Sequence, residues 1–226
     1  MTTRDTEAEG ERLPDSLPTR GRVLVHAAHV YDQVQPFVTL GQEARMYRWI
    51  AERLDPADGM RVLDVGCGTG LLTVQIAESA PGCTAEGIDA SGPMITVARR
   101  KRTRPNCTFK QALAEELPYP DKHFDIVTSA LFLHHVDREL KGRCLREIRR
   151  VLKPGGRLVI ADMDKPYTVM GWLLSYGAWI LFRQPEIKEN IDGVLRNEVT
   201  EAGFTGIEDL GRFSGYIAVF SANKPE

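Results

Sequence analysis

The stretch "VLDVGCGTG" (residues 62–70) decides the fold. Its first residues, apolar apart from Asp64, read as the end of a buried strand. They run straight into three glycines at spacing two, Gly66, Gly68 and Gly70. The next stretch, "LLTVQIAESA", reads as a helix. A strand, a glycine turn and a helix in that order make a ligand cradle. Glycine lets the backbone approach a bound group, and the amides of the helix start face it.

Working outward, the alternation continues. "CTAEGID" (83–89) reads as a second strand. "SGPMITVARRKR" (91–102) reads as a helix, with Ser91 placed to cap it and Pro93 in its first turn. "CTFKQA" (107–112) and "FDIVTSA" (124–130) are further strands. "DRELKGRCLREIRRVL" (137–152) is an amphipathic helix with Leu140, Cys144, Leu145, Ile148, Val151 and Leu152 on one face, stopped by "KPGG". "RLVIADM" (157–163) is the fifth strand. Five apolar strands separated by helices imply parallel pairing with right-handed crossovers. The fold expected is α/β, a Rossmann-like doubly wound sheet. The tail departs from this pattern: one helix over 186–203, then "GIEDLGRFS" and "GYIAVFSAN", which read as an antiparallel C-terminal hairpin on the sheet edge.

Composition bounds the rest. The 226 residues suffice for one domain, and 42% apolar with 27% charged residues is ordinary globular usage. A net charge of −2 gives no global pull toward nucleic acid, and the basic run "ARRKRTR" (98–104) has no aromatic platform beside it, so it reads as a solvated helix face. Four cysteines without C-x-x-C or metal spacing suggest a reduced, cytoplasmic protein with no bound metal. Residues 1–20 are polar and Pro-containing, and read as a disordered leader. A single domain is expected over 21–226: a helical cap (21–58), a cofactor-binding core (59–163), a helical insertion (164–190) and a closing helix and hairpin (191–226).

Asp89 ends the second strand, 19 residues after Gly70, where a carboxylate can bind both hydroxyls of a ribose. The spacing is G-x-G-x-G and not G-x-G-x-x-G, which favours an adenosine cofactor other than NAD. "VLDVGCGTG" and "GIDASGPMITVARRK", followed by "AEELPYPDKHFDIVTSALFLHHV" and "LREIRRVLKPGGRLVIAD", resemble the linked motifs of class I S-adenosylmethionine-dependent methyltransferases. The similarity covers about residues 60–165 and is greatest to the ubiquinone/menaquinone C-methyltransferases and their small-molecule relatives.

The resemblance implies roles for individual residues. Asp64 and the turn Gly66–Cys67–Gly68 would hold the methionine part of S-adenosylmethionine, and S-adenosylhomocysteine would be the product. Asp89 would take the ribose diol. Ala90 and Met94 would flank the adenine, and Ala114 would offer backbone to its edge. Ser129 and Ala130 would lie beside the sulfonium. Tyr31 would fold over the cofactor. Leu113 stands where relatives carry Asp or Asn to accept from the adenine amino group. Each residue also has a plainer reading: Asp64 and Asp89 as caps, Met94 and Tyr31 as packing.

Methyl transfer from a sulfonium is an in-line displacement, so positioning dominates and a base is needed only where the acceptor must lose a proton. His134 and His135 are the candidates for that base, with a structural role as the alternative. In "TVMGWLLSYGAWILF" (168–182), Trp172, Tyr176 and Trp179 recur at helical spacing and are the candidate substrate contacts. The run falls short of the roughly 20 apolar residues that span a bilayer. It is left open between a lid over an apolar acceptor, a core or homodimer contact, and a peripheral membrane surface. The function expected is methyl transfer to C, O or N of a small, largely apolar molecule of the quinone, lipid or natural-product type. The alternative is a non-catalytic cofactor-binding partner protein.

Overall fold

The computed structural model describes residues 15–19, 21, 39–183 and 185–226. Tyr31 and residues 22–38 of the expected helical cap lie outside them. The cap's described portion is α1 (Glu43–Leu54), which turns Met46, Tyr47, Ile50 and Leu54 inward.

At the centre of the sheet stands β1 (Arg61–Val65), buried from Val62 onward. It pairs in parallel with β2 (Thr84–Asp89) through Val62↔Ala85 and with β4 (Phe124–Ala130) through Val62↔Ile126. Beyond β2 lies β3 (Cys107–Gln111), and beyond β4 lies β5 (Leu152–Met163), both parallel. The tail supplies β6 (Thr205–Phe213) and β7 (Ile217–Asn223). The full order is β3-β2-β1-β4-β5-β7-β6, with β7 antiparallel to both neighbours. This is the doubly wound sheet with a closing antiparallel hairpin that the sequence leads one to expect.

Alternation along the strands divides the core in two. Val62, Ala85, Ile126 and Val159 contribute to one cluster, with α1 and α2 (Leu71–Ser79). Leu63, Val65, Ile88, Val127 and Leu158 contribute to the other, with α4 (Arg138–Val151). That period-two split is what a sheet covered on both faces requires. Between β2 and β3 runs α3 (Gly92–Lys101), whose Ser91 side chain accepts from the Met94 amide at 3.4 Å. The Asp137 side chain caps α4, accepting from the Leu140 amide at 2.9 Å.

Three boundaries differ from expectation. β5 begins at Leu152, not 157, because Leu152 already pairs with Phe124 and the "KPGG" segment continues the strand through an irregularity in register. The expected helix over 186–203 is two helices, α6 (Pro185–Ile191) and α7 (Leu195–Glu201), broken where Gly193 takes φ +81°. The leader is not free up to residue 20. Ser16 bridges Ser91, the Leu17 amide donates to Ala90 O at 3.0 Å, and the Gly92 amide donates to Asp15 O at 3.2 Å. Residues 15–19 therefore lie along the β2–α3 junction. The apolar run forms α5 (Val169–Phe182). Among the described residues no helix is long and apolar enough to cross a membrane.

Candidate active site

The carboxyl ends of β1, β2 and β4 meet at the glycine turn. The Gly66 and Cys67 amides both donate to Ile88 O, at 2.9 and 2.8 Å. The Gly68 amide donates to Asp89 Oδ2 at 2.9 Å, and the Ser91 amide donates to Oδ1 at 2.8 Å. One carboxylate thus joins the turn to the start of α3.

Each glycine is needed for its own reason. Gly66, Gly68 and Gly70 have φ of +74°, +54° and +80°, a region that L side chains rarely adopt. A Cβ on Gly66 would stand 2.4 Å from the Phe132 ring, and one on Gly70 would stand 2.4 Å from the Phe109 ring. A Cβ on Gly68 would meet nothing within 4 Å. The first and third glycines serve packing, and the second leaves bare backbone facing a cleft.

That cleft has about 960 Å³ of empty space, its open mouth included. The glycine turn, Asp64 and Thr69 form one wall. Asp89, Ala90, Met94, Ala112 and Ala114 form the second. Ala130, Leu131, Phe132, His135 and Val136 form the third. Thr19 and Gly21 close one side, the Thr19 hydroxyl donating to Glu115 at 2.5 Å, and Glu43 and Tyr47 of α1 close another.

Two buried carboxyls stand at this wall. Burial pushes Asp64 up to about 6, against the Thr73 and Thr128 hydroxyls that donate to it at 2.7 and 3.1 Å. Burial likewise raises Asp89, opposed by the amides of Ser91 and Gly68. Burial pushes the Cys67 thiol well up, with Asp89 and Asp64 adding to it, so it stays a neutral wall group.

The structure brings Asp64, Gly66, Cys67, Gly68, Asp89, Ala90, Met94, Ala114, Ala130 and His135 to the cleft and leaves other candidates out. Leu113 is not part of the wall; its neighbours Ala112 and Ala114 are. Ser129 is buried, its hydroxyl donating to Val65 O at 3.1 Å, where it ties β4 to β1. His134 is turned to Asp162, with Nδ1 2.6 Å from Oδ1. Trp172, Tyr176 and Trp179 do share a helix face, with Trp172 and Tyr176 stacked at 4.8 Å, but none lines the cleft.

Asp162 escaped the sequence reading. Its Oδ2 accepts from the Leu133 amide at 2.8 Å and its Oδ1 from the Met163 amide at 2.7 Å. Burial acts to raise it, but the His134 charge and hydrogen bond outweigh that and hold it below the usual carboxylate range. The signal was available: an acidic residue at the carboxyl end of the apolar strand "RLVIADM" points to the cleft side of the sheet. The rings of His134 and His135 lie 4.0 Å apart.

A methyltransferase-domain family model matches residues 63–160. An uncharacterised methyltransferase of Synechocystis is 32% identical over 195 residues, covering 85% of this chain and 90% of its own. The chain belongs to the class I S-adenosylmethionine-dependent methyltransferases. A demethylmenaquinone methyltransferase of Paenarthrobacter aurescens is 30% identical, covering 96% of this chain and 89% of its own. Among solved structures, phosphoethanolamine N-methyltransferase 2 of Haemonchus contortus, in complex with S-adenosyl-L-methionine, shares the fold with a TM-score of 0.63 at 18% identity, covering 90% of this chain and 61% of its own. As a class I methyltransferase, the chain places its glycine turn where this family's strand–turn–helix motif belongs, at the carboxyl end of the central strand.

Proposed function

We propose that this methyltransferase acts on a small, largely apolar acceptor, of the quinone, lipid or natural-product class, with S-adenosylmethionine as the donor. The observation that carries the reading is the contrast within the cleft. Bare backbone at Gly68 and the carboxyls of Asp64 and Asp89 line one side, and Leu72, Leu131, Phe132 and Val136 give the opposite side an apolar surface, with Glu43, Glu115 and His135 at its borders. The relative named as a demethylmenaquinone methyltransferase points the same way.

The residues present fit the donor. Gly68 leaves room for a ligand to rest on the chain, and Asp89 stands beside it with its oxygens directed by two amides. In this reading Asp64 and the turn Gly66–Cys67–Gly68 hold the methionine part, and Asp89 holds the ribose diol. Ala90 and Met94 flank the adenine, and Ala114 presents backbone to its edge. Leu113 supplies no polar contact. Ala130 adjoins the transferred group, while Ser129 acts only by fixing β4. When bound, the donor supplies an electrophilic methyl on a sulfonium, so the protein needs no nucleophile of its own.

The chain's tasks are alignment, exclusion of water and acceptance of a proton. Alignment alone can contribute roughly 7–11 kcal/mol. Of the two histidines, His135 at the cleft wall is the proton acceptor. His134 is a positioning residue held by Asp162.

Calorimetric titration with S-adenosylhomocysteine, with NADH as control, tests the donor assignment. Micromolar binding of the former alone is expected, weakened at least roughly tenfold in Asp89→Ala, as loss of hydrogen bonds to a charged group implies. Equal affinity in the variant removes the ribose role. Turnover on apolar acceptors, screened next, separates an enzyme from a silent cofactor-binding protein.

A further inference from the structure

Helix α5 leaves a broad apolar face uncovered. It has 14 residues, none charged, and between Lys165 and Arg183 the chain has no acidic residue. Its most buried positions are small ones, while Leu174, Tyr176 and Trp179 are partly buried against the core. Gly171 and Ser175 are buried, and a Cβ on Gly171 would stand 2.0 Å from Gly215 O in the β6–β7 turn. Its outward positions are large ones apart from Gly177: Val169 is 79% exposed, Leu181 75%, Ile180 66%, and Met170, Trp172 and Leu173 are each more than half exposed. A helix selected only to fill the core would not leave six large apolar side chains outside. Here Gly171 seats the helix close against the hairpin, Leu174, Tyr176 and Trp179 pack partly on the core, and six large apolar side chains face out over about half its circumference.

The surroundings of that face favour a lipid surface. Cations rim it: Lys165 before the helix, Arg183 at its end, Lys188 on α6 and Arg212 on β6. Lys188 Nζ lies 6.0 Å from the ring centres of Tyr176 and of Trp179, and the Arg212 guanidinium lies 5.4 Å over Tyr167. Lys188 is also paired with Asp192 at 2.7 Å. An aliphatic face bordered by Trp and Tyr, with Lys and Arg outside them, matches the depth profile of a headgroup–acyl boundary. The helix is about 21 Å long and on the order of 10 Å wide, so self-pairing through it alone falls well short of the roughly 800 Å² per partner of a standard protein interface.

We propose that α5 docks this methyltransferase on an anionic bilayer, lying in the interface plane with Val169, Leu173 and Ile180 among the acyl chains. The inference stands on the helix and its rim and does not rest on the acceptor reading. A protein so docked meets apolar acceptors where they dissolve.

Cosedimentation with vesicles of equimolar phosphatidylcholine and phosphatidylglycerol tests it, without cofactor or acceptor. The full chain is expected to pellet with these vesicles and less with phosphatidylcholine alone, and brominated lipid is expected to quench its tryptophan emission. Leu173→Glu with Ile180→Glu, both at exposed positions, should cut partitioning at least roughly tenfold, given two charges placed in the acyl boundary, while unfolding and S-adenosylhomocysteine binding stay as in the parent. Absence of vesicle binding overturns the proposal. So does a parent dimer that the double variant converts to monomer, since the face then covers a second copy. Neither outcome bears on methyl transfer, which is read by cofactor binding and turnover.

Discussion

Asp162 shows how one side chain can organise a site from behind. It accepts from the Leu133 and Met163 amides and faces His134 Nδ1, so two of its contacts fix the turn that carries both histidines and the third ties it to its own strand. His134 is left with little exposure, and His135 reaches the cleft. Two adjacent residues of the same type are thereby given different tasks. His135→Ala is expected to lower turnover by about 10²–10⁴ on an acceptor that must lose a proton, with S-adenosylhomocysteine affinity unchanged. His134→Ala should retain more activity, because it loses orientation and not the proton acceptor. Steady-state rates beside calorimetry check this. Full turnover in His135→Ala would remove the base assignment.

At the scale of elements, the glycine turn separates stability from binding. Gly66→Ala sets a Cβ into the Phe132 ring at an unfavourable φ, so the fold must shift. Gly68→Ala meets open space, so it bears only the conformational cost of about 1–2 kcal/mol. Urea unfolding is expected to rank Gly66→Ala as the less stable. Calorimetry is expected to show that Gly68→Ala, though folded, binds S-adenosylhomocysteine at least roughly tenfold more weakly, since the methyl occupies the cradle. Near-parental affinity in Gly68→Ala would mean that the cofactor does not rest there. The elements that were legible in the sequence are those set by local chemistry: the strand–turn–helix of 62–79, the cap Ser91, the hairpin of the tail. What was not legible depends on distant partners. "KPGG" reads as a helix stop, yet Leu152 pairs with Phe124 and the strand has begun. Lys141, a charged residue that the apolar face of α4 leaves unassigned, is fully buried, donating to Asn190 at 2.9 Å and facing Glu198 at 3.3 Å, from two helices that come later in the chain. The run of α5 reads as apolar all round; only the fold shows which half is seated. Of the candidate site, the glycine turn and Asp89 are fixed by sequence-local geometry, whereas the tasks of Ser129 and His134 depend on what β1 and β5 place beside them.

For the molecule as a whole, ionisation sets the cost of keeping this site. Asp64, Asp89 and Glu198 are buried and raised, so the folded chain holds protons there that the unfolded chain has released. Asp162, Asp125 and Glu147 are lowered, and their stabilising contribution is complete above the ordinary carboxylate range and lost below it. Between pH 5 and 7.5 the lowered group gives no slope, and the raised group makes stability fall as pH rises. Asp64, moved from 3.8 to about 6, is fully ionised in the unfolded chain well before the folded one follows. Its ionisation at neutral pH therefore costs about 3 kcal/mol, of which roughly 1–1.5 kcal/mol accrues between pH 5 and 7.5. Asp64→Asn removes that titration while keeping the shape of the side chain. Thermal unfolding of variant and parent in matched buffers is expected to show the variant gaining on the parent by about that amount across the interval. Parallel pH profiles would mean that Asp64 is not raised by its burial. The same linkage acts in reverse on binding. If Asp64 receives the donor's ammonium, ligand and proton compete for one carboxylate, so S-adenosylhomocysteine affinity should fall on acidification through pH 6 in the parent and less steeply in Asp64→Asn. A fold that gives up stability at the pH where its ligand binds best is one in which the ligand restores what the empty site costs.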